Sequence, residues 1–474
     1  MQEKRILVMK FGGTSVGNAE AMLQVKEIVQ NALAEGWSPI VVLSAMSGVT
    51  DQLLQSTELA KNHRFDLVLQ TAAELITRHY QVLHQLIENS ERQFAIKQQI
   101  DQLISNFTEY CRAIDIIGET TPRVLDAISG IGEMICVRIF ADLLNANQMQ
   151  AQAVDATKVI ITDATFQNAH PDFEKTSQRL QQTLMPMINA GTIPVVTGFI
   201  AATEDGITTT LGRGGSDYTA AIIGAGLHVQ EVWIWTDVDG VMTADPRVVP
   251  EAQTIEKLTF REIGELAYYG AKVVHPKTMQ PLIDANIPIK VKNTFNPSHP
   301  GTILIADQTQ MMNGAIKAVT SIRSQSLITI EGRGMLGVPG VAARAFGAVA
   351  STGTSVPLIT QASSEQSICF AVPLKSTALV LQGLNEAFSR ELSTKDIDRI
   401  WATEEVVILT IVGSGMRNTP GVAGKIFSKL GANGINVIAI AQGSSEVSIS
   451  LVIDRMDEQK AVRAIHELIV KNEN

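Results

Sequence analysis

The chain has 474 residues, 45% of them hydrophobic and 18% charged, with a formal net charge of −10. That length suggests about three globular domains, and the acidic balance weighs against nucleic acid or an anionic membrane surface as the main partner. No apolar run approaches the roughly 20 residues of a membrane span, Ile6–Met9 is too short for a signal peptide, and Cys111, Cys136 and Cys369 are scattered without metal spacing, so reduced thiols in the cytoplasm are expected.

Ile6-Leu7-Val8-Met9 reads as a buried strand that runs into Lys10, the pair Gly12-Gly13 and then Thr14-Ser15. A helix follows, with Met22, Val25, Ile28 and Val29 at helical spacing and Gly36 as its stop. Bare backbone amides at such a turn suit an anion, and a lysine adds a full charge; a plain tight turn is the other reading. A second strand, Ile40–Leu43, ends at Ser44-Ala45-Met46-Ser47-Gly48. Strand, helix, strand predicts a parallel sheet, and small hydroxyl residues at a strand's carboxyl end lie where open α/β sheets bind ligands.

Residues 51–117 contain neither Gly nor Pro and read as helical. His63, His79 and His84 lie there without partners at metal-ligand spacing and read as surface or satisfied helical histidines. Thr121-Pro122 is a helix start, and the next helix begins near Gly132-Glu133, where the glutamate alone would be only a dipole complement. Strands recur at 152–154, 195–200 and 232–235, the rhythm of an α/β sandwich.

Two later junctions carry chemistry. Gly212-Arg213-Gly214-Gly215-Ser216-Asp217 opens a helix with bare amides and a guanidinium suited to a carboxylate or phosphate. Trp235-Thr236-Asp237-Val238-Asp239-Gly240 delivers aspartates to a sheet edge, either as turn formers or as ligands of Mg²⁺ and a ribose; spacing does not choose. Thr259-Phe260-Arg261-Glu262 is a capping box for a helix that ends at Tyr269-Gly270-Ala271-Lys272.

The last third repeats at an offset of 81 residues: Gly334-Met335 returns as Gly415-Met416, Pro339-Gly340-Val341-Ala342 as Pro420-Gly421-Val422-Ala423, and Gln361 as Gln442. Gly332-Arg333-Gly334-Met335-Leu336-Gly337 fits a dinucleotide pattern, but its twin lacks the third glycine, so a nicotinamide site is rejected. The first copy is followed by a closing strand near 397–402, while the second ends on a helix. A spare strand at 316–322 is expected to complete the second copy's sheet.

In this order, Lys10-Phe11-Gly12-Gly13-Thr14-Ser15, Gly212–Asp217, Trp235–Gly240, Asp245-Pro246-Arg247 and Gly270-Ala271-Lys272-Val273, followed by the paired repeats, resemble the aspartokinases over essentially the full length. The resemblance implies a three-layer α/β amino-acid-kinase sandwich with a mostly parallel sheet at 1–305, a linker at 306–313, and two ferredoxin-like βαββαβ ACT domains at 320–402 and 403–474. It implies transfer of the γ-phosphoryl group of ATP, with Mg²⁺, to the side-chain carboxylate of L-aspartate, and feedback by an amino acid at the ACT domains. Lys10 and Asp217 would be catalytic, Asp217 orienting Lys10. Ser44, Thr50, Glu133, Arg213, Gly214 and Ser216 would hold aspartate, Glu133 taking the ammonium and Arg213 a carboxylate. Lys10, Gly12, Gly13, Thr236, Asp237, Met242, Arg247, Lys272 and Val273 would line the nucleotide site.

The helical stretch 51–117 and the Gln-x-Ser-Ser-Glu repeats are most similar to the kinase half of the fused aspartokinase–homoserine dehydrogenases. That favours threonine over lysine as effector, through Gln361 and Gln442. Nothing follows the repeats, so a monofunctional chain is expected, and ACT sheets commonly pair between subunits, so a homo-oligomer is expected. Ile131 stands where the family usually has a basic residue or His, and Met242 where tyrosine is common. Two rival readings are a kinase for glutamate or N-acetylglutamate and a catalytically inactive amino-acid sensor.

Overall fold

The computed structural model describes residues 4–269, 274, 276–306, 316–361, 366–417 and 419–470. They divide into two compact units, one of Met1–Val241, Glu256–Phe260 and Lys272–Ala306, the other of Met242–Ile255, Arg261–Ala271 and Asp307–Asn474. No helix among the described residues is long and apolar enough to cross a membrane.

The first unit begins with β1 (Arg5–Phe11), α1 (Ala19–Ala34) and β2 (Trp37–Leu43). The Asn18 carboxamide accepts from Ala21 N–H at 2.9 Å and starts α1, so the helix begins six residues after Gly13, not at the glycine pair. The stretch 51–117 forms α2 (Val49–Lys61), α3 (Phe65–Leu86) and α4 (Ser90–Ile117), the last capped by Asn89 and stopped by Gly118 at φ 75°. His79 is fully buried in α3, its Nδ1 2.6 Å from Leu75 O, and burial pushes its pKa down to about 4, so the ring is neutral.

The chain continues through α5 (Pro122–Ser129), α6 (Ile131–Ala146), β3 (Ala151–Val154), β4 (Ile161–Thr162) and α7 (Phe173–Asn189). The expected strand at 195–200 is two: β5 (Ile193–Thr197) and β6 (Ile200–Thr203). The break falls at Gly198-Phe199, because Phe199 has φ 70° and a Cβ on Gly198 would lie 2.6 Å from Ser216 Cβ. Then come β7 (Thr208–Thr210), α8 (Gly215–Leu227), β8 (Glu231–Thr236), β9 (Lys257–Thr259), α9 (Phe260–Tyr268), α10 (Pro276–Asp284), β10 (Ile289–Asn293) and β11 (Thr302–Ile305).

The main sheet has the order β3-β5-β2-β1-β8-β10-β11-β9, parallel except where β11 runs antiparallel to β10. β2 lies on one side of β1 and β8 on the other, so the strand order switches at β1, and a crevice opens at the carboxyl ends there. Leu7, Met9, Phe11, Trp233 and Trp235 share one buried core with α1 and α6. Val232, one residue out of phase, faces α8 and α10 instead, where a Cβ on Gly224 would meet Val232 Cγ2 at 2.7 Å and Leu282 Cδ2 at 3.0 Å.

Gly301 closes the turn into β11 at φ 78°, and a Cβ there would lie 2.0 Å from Val291 O. Gly301→Ala is therefore expected to cost about 3 kcal/mol, since a left-handed backbone and a main-chain clash add up. Chemical denaturation checks this; a loss under about 1 kcal/mol would show that the turn relaxes.

In the second unit, one antiparallel six-stranded sheet has the order β13-β14-β12-β15-β17-β16. Its strands are β12 (Ala318–Glu331), β13 (Leu358–Gln361), β14 (Ser367–Pro373), β15 (Arg399–Val412), β16 (Ala439–Ala441) and β17 (Ser448–Asp454). The segments read as a spare strand and a closing strand are the leading halves of β12 and β15. Ala318–Ile322 pairs with Ile408–Val412, and Leu327–Glu331 with Arg399–Thr403. Each long strand thus serves both copies, and each bends at a residue of positive φ, Ser324 at 56° and its repeat mate Glu405 at 55°.

Helices α11 (Val341–Ser351) and α12 (Thr377–Ala387) cover the first copy, with the short α13 (Ser389–Thr394) after them; α14 (Val422–Ala432) and α15 (Glu458–Val470) cover the second. The glycine pattern at 332–334 has a packing cause. A Cβ on Gly332 would lie 2.3 Å from Asp396 O, and one on Gly334 2.5 Å from Asp396 Cα. Ala244, Val248 and Val249 join the core under α14 and α15, which is why 242–255 folds with the repeats.

Candidate active site

Lys10 alternates with Met9 and Phe11, which are buried towards α1, so its side chain leaves the opposite face of the sheet, where α8 packs on β1. Gly214 at φ 72° turns the chain into α8, and Asp217 in the first turn of that helix meets the lysine. Lys10 Nζ and Asp217 Oδ1 are 2.6 Å apart, with side chains 12% and 14% exposed. A Cβ on Gly12 would lie 3.6 Å from that Nζ, in ordinary contact, and one on Gly13 3.0 Å from Ala45 O, so Gly12 faces the ammonium while the bare Gly13 lets the loop after β2 close in. The Gly12 N–H is itself directed at Trp235 O, at 3.4 Å.

The loop after β2 closes around this pair. Ser44 N–H donates to Phe11 O at 3.2 Å, Ser47 N–H to Gly13 O at 3.1 Å, and Ser44 Oγ to Ser216 Oγ at 3.0 Å. Opposite it stands the first turn of α6. A Cβ on Gly132 would be 2.7 Å from Ala45 Cβ and 2.8 Å from Val49 Cγ1, so only glycine lets α6 lean this closely on the loop. Glu133 is thereby set into the wall. It is 4% exposed, its Oε2 has no hydrogen-bond partner, and burial pushes its carboxyl up to about 7 against a hydrogen bond from the Ala45 backbone.

Together these elements enclose a cavity of about 400 Å³ whose lining includes Lys10, Gly13, Ser44, Thr50, Glu133, Arg213, Gly214, Ser216 and Asp217. Residues from five stretches of the sequence (10–13, 44–51, 133, 199 and 212–217) are thus brought together. Thr236 and Asp237 lie at the end of β8, joined by a 3.1 Å side-chain hydrogen bond, and do not line this cavity. Met242 and Arg247 fold within the second unit, and Lys272 and Val273 lie outside the described residues. Gln361 ends β13 and Gln442 follows β16; both are exposed, on the two outermost strands of the second sheet. Ile131 is buried in the core and does not line the cavity.

Sequence reasoning missed Asp51 and Phe199, which also line the cavity. Phe199 follows a strand's carboxyl end, the signal used for Ser44, but its apolar side chain concealed it. Asp126 was missed too. It is 1% exposed and accepts from Gln167 N–H at 2.9 Å, Thr210 N–H at 3.0 Å and Thr210 Oγ1 at 2.8 Å, which fastens the strand end leading to Arg213. Burial holds its carboxyl above the usual range.

The cavity offers cations and anions within one small space, which suits a zwitterion carrying a further negative group beside a phosphate. A model of the amino acid kinase family matches residues 5–293, and an ACT-domain model matches 328–388 and 409–468. The chain is 33% identical to the lysine-sensitive aspartokinase 3 of Escherichia coli, over 97% of this chain and 98% of that one. The chain belongs to the aspartokinases of the amino acid kinase family.

Within that family it is 39% identical over 464 residues to the bifunctional aspartokinase/homoserine dehydrogenase 2 of Arabidopsis thaliana. That match takes in 97% of this chain and 50% of the relative, so the chain spans about half the length of the bifunctional relatives it matches. Among solved structures, E. coli aspartokinase III in complex with lysine and aspartate superposes with a TM-score of 0.79 at 32% identity, covering 98% of this chain and 99% of that one. The same enzyme in complex with aspartate and ADP gives 0.79 at 31% identity.

Proposed function

We propose that the protein is an aspartate kinase that transfers the γ-phosphoryl group of ATP to the side-chain carboxylate of L-aspartate, giving 4-phospho-L-aspartate, the first step towards lysine, threonine and methionine. The observation that carries this reading is the cavity in which the Lys10–Asp217 pair, Arg213 and the buried Glu133 converge. An aspartate side chain has a pKa near 3.9 and is already a nucleophile at neutral pH, so the site needs no general base. What the reaction demands is alignment and neutralisation of charge on the group in transfer.

In this reading the Lys10 ammonium stands where the phosphoryl group passes, and Asp217 keeps it from swinging away. Arg213 takes the α-carboxylate of aspartate, and the orphaned oxygen of Glu133 takes its ammonium. Ser44, Thr50, Gly214 and Ser216 complete the aspartate pocket. Gly12, beside Lys10, and Gly13 take the nucleotide's phosphates, with Thr236 and Asp237 at the end of β8 holding more of the nucleotide. No cluster of three metal-ligating side chains stands among the described residues, so Mg²⁺ would enter with the nucleotide's phosphates and would supply further charge neutralisation. The two ACT copies bind the effector through Gln361 and Gln442, with threonine preferred to lysine, and pair with a second chain.

The test is ADP release with aspartate, glutamate or N-acetylglutamate, each with and without threonine or lysine. Turnover with aspartate alone, inhibited by threonine, is the expected result. Turnover only with another acid would overturn the substrate assignment, and none with any acid would favour a sensor.

A further inference from the structure

Arg213 and Glu133 line the cavity from elements that are joined, within the first unit, at one buried carboxylate. Arg213 is exposed, and its guanidinium has no hydrogen bond or ion pair to another described residue, so the backbone that delivers it sets its reach. That backbone leaves β7 at Thr210. Leu211 N–H donates to Phe199 O at 2.9 Å, Gly212 turns the chain at φ 75°, and Gly215 N–H closes the turn on Gly212 O at 3.0 Å. Gly212 lies tight against the loop before α7, where a Cβ on it would be 3.0 Å from Asn168 Oδ1 and 3.1 Å from Gln167 O.

Asp126, in α5, ties this loop and the end of β7 together. Its Oδ2 accepts from Gln167 N–H at 2.9 Å and from Thr210 N–H at 3.0 Å, and its Oδ1 from Thr210 Oγ1 at 2.8 Å. A carboxylate accepts from all three donors, whereas an amide would turn its own N–H groups on one of them. The contact also holds Gln167 at φ 68°, a left-handed backbone that glutamine adopts at a cost. Beyond Asp126, α5 ends beside Gly130, where a Cβ would lie 2.2 Å from Ile200 Cγ2, and α6 follows with Glu133 in its first turn. One buried side chain thereby links the strand end of Arg213 to the helices that carry Glu133.

We infer that Asp126 is a positioning residue for the amino-acid substrate: it fixes the separation of Arg213 and Glu133, and so fits the pocket to an α-carboxylate and an α-ammonium on one carbon. The inference rests on the roles given to Arg213 and Glu133 above. Asp126 does not line the cavity, so its loss acts through those two side chains. Lys10 and its partner Asp217 take no part in these hydrogen bonds, so the phosphate side of the site is spared.

The experiment measures kcat, KM for aspartate and KM for ATP in the full chain carrying Asp126→Asn, Thr210→Val or Thr210→Ser, and Asp126→Asn combined with Arg213→Lys. Asp126→Asn is expected to raise KM for aspartate about tenfold and to change KM for ATP by less than about twofold. Thr210→Val, which removes one donor, should raise KM for aspartate about fivefold, while Thr210→Ser, which keeps the hydroxyl, should stay within about twofold of the parent. In the Arg213→Lys background the grip on the α-carboxylate is already loosened, so Asp126→Asn should add no more than about threefold. Equal effects on both substrates, an unchanged KM for aspartate in a folded Asp126→Asn protein, or full additivity with Arg213→Lys would overturn the inference and leave the proposed function standing. If Asp126→Asn does not fold, the two Thr210 variants decide by the same split between substrates. An Arg213→Lys protein with the parent's KM for aspartate would defeat the role given to Arg213 and this inference with it. A parent that turns over no aspartate would defeat the proposed function and the inference together.

Discussion

Lys10→Ala is expected to lower kcat for aspartate phosphorylation by about a thousandfold while KM for aspartate changes by no more than about threefold. The lysine stands on the face of β1 opposite its neighbours Met9 and Phe11, tied to Asp217 at 2.6 Å. A charge held in place before the reaction costs no reorganisation when negative charge moves onto the transferring group. An ammonium that merely gripped resting nucleotide would show up in KM for ATP instead, so the split between kcat and KM decides its role. Lys10→Arg should rescue little, because a planar fork does not replace a compact point charge beside Asp217. Near-normal turnover in Lys10→Ala would remove the lysine from the mechanism.

Glu133→Gln is expected to raise KM for aspartate about a hundredfold and, in the same protein, to increase stability above neutral pH. The two effects share one cause. The carboxyl is fully buried with an unpartnered oxygen, and its pKa rises from 4.5 to about 7. Between those values the folded state holds a proton that the unfolded state has released, so stability falls as pH rises from about 4.5 through about 7. The shift corresponds to about 3 kcal/mol, which glutamine at this position recovers. In the role proposed for Glu133 the ammonium of aspartate would provide the missing partner, so in the parent KM for aspartate should climb as pH drops below 7. Thermal melts across pH, run beside aspartate kinetics, check both halves. A Glu133→Gln protein with the parent's melting profile, or with normal aspartate affinity at pH 8, would contradict the role given to this carboxylate.

Much of the fold was legible because its signals are local. The apolar runs at 6–9 and 40–43 became β1 and β2, Thr121-Pro122 started α5, and the offset of 81 residues marked two copies that share even their positive-φ bends at Ser324 and Glu405. Misreadings arose where a contact distant in sequence sets the local geometry. The break at Gly198-Phe199, inside the single strand read at 195–200, comes from Ser216. The segment 242–255 reads as part of a kinase domain, yet its apolar residues pack in the second repeat's core.

The same division runs through the candidate site. Sequence alone determined its reactive groups, because glycine pairs, a lysine at a strand end and an arginine among glycines are choices that a plain turn does not need. It also determined the family, through motifs in a fixed order followed by a paired repeat. Tertiary structure decided what each group can do. Parity along β1 turned Lys10 towards α8 and Asp217, and the missing side chain of Gly132 let α6 approach until Glu133 lost its solvent. Neither is visible in one dimension, since a residue's charge is set by its type, whereas its burial and its partners are set by segments that meet only when the chain folds.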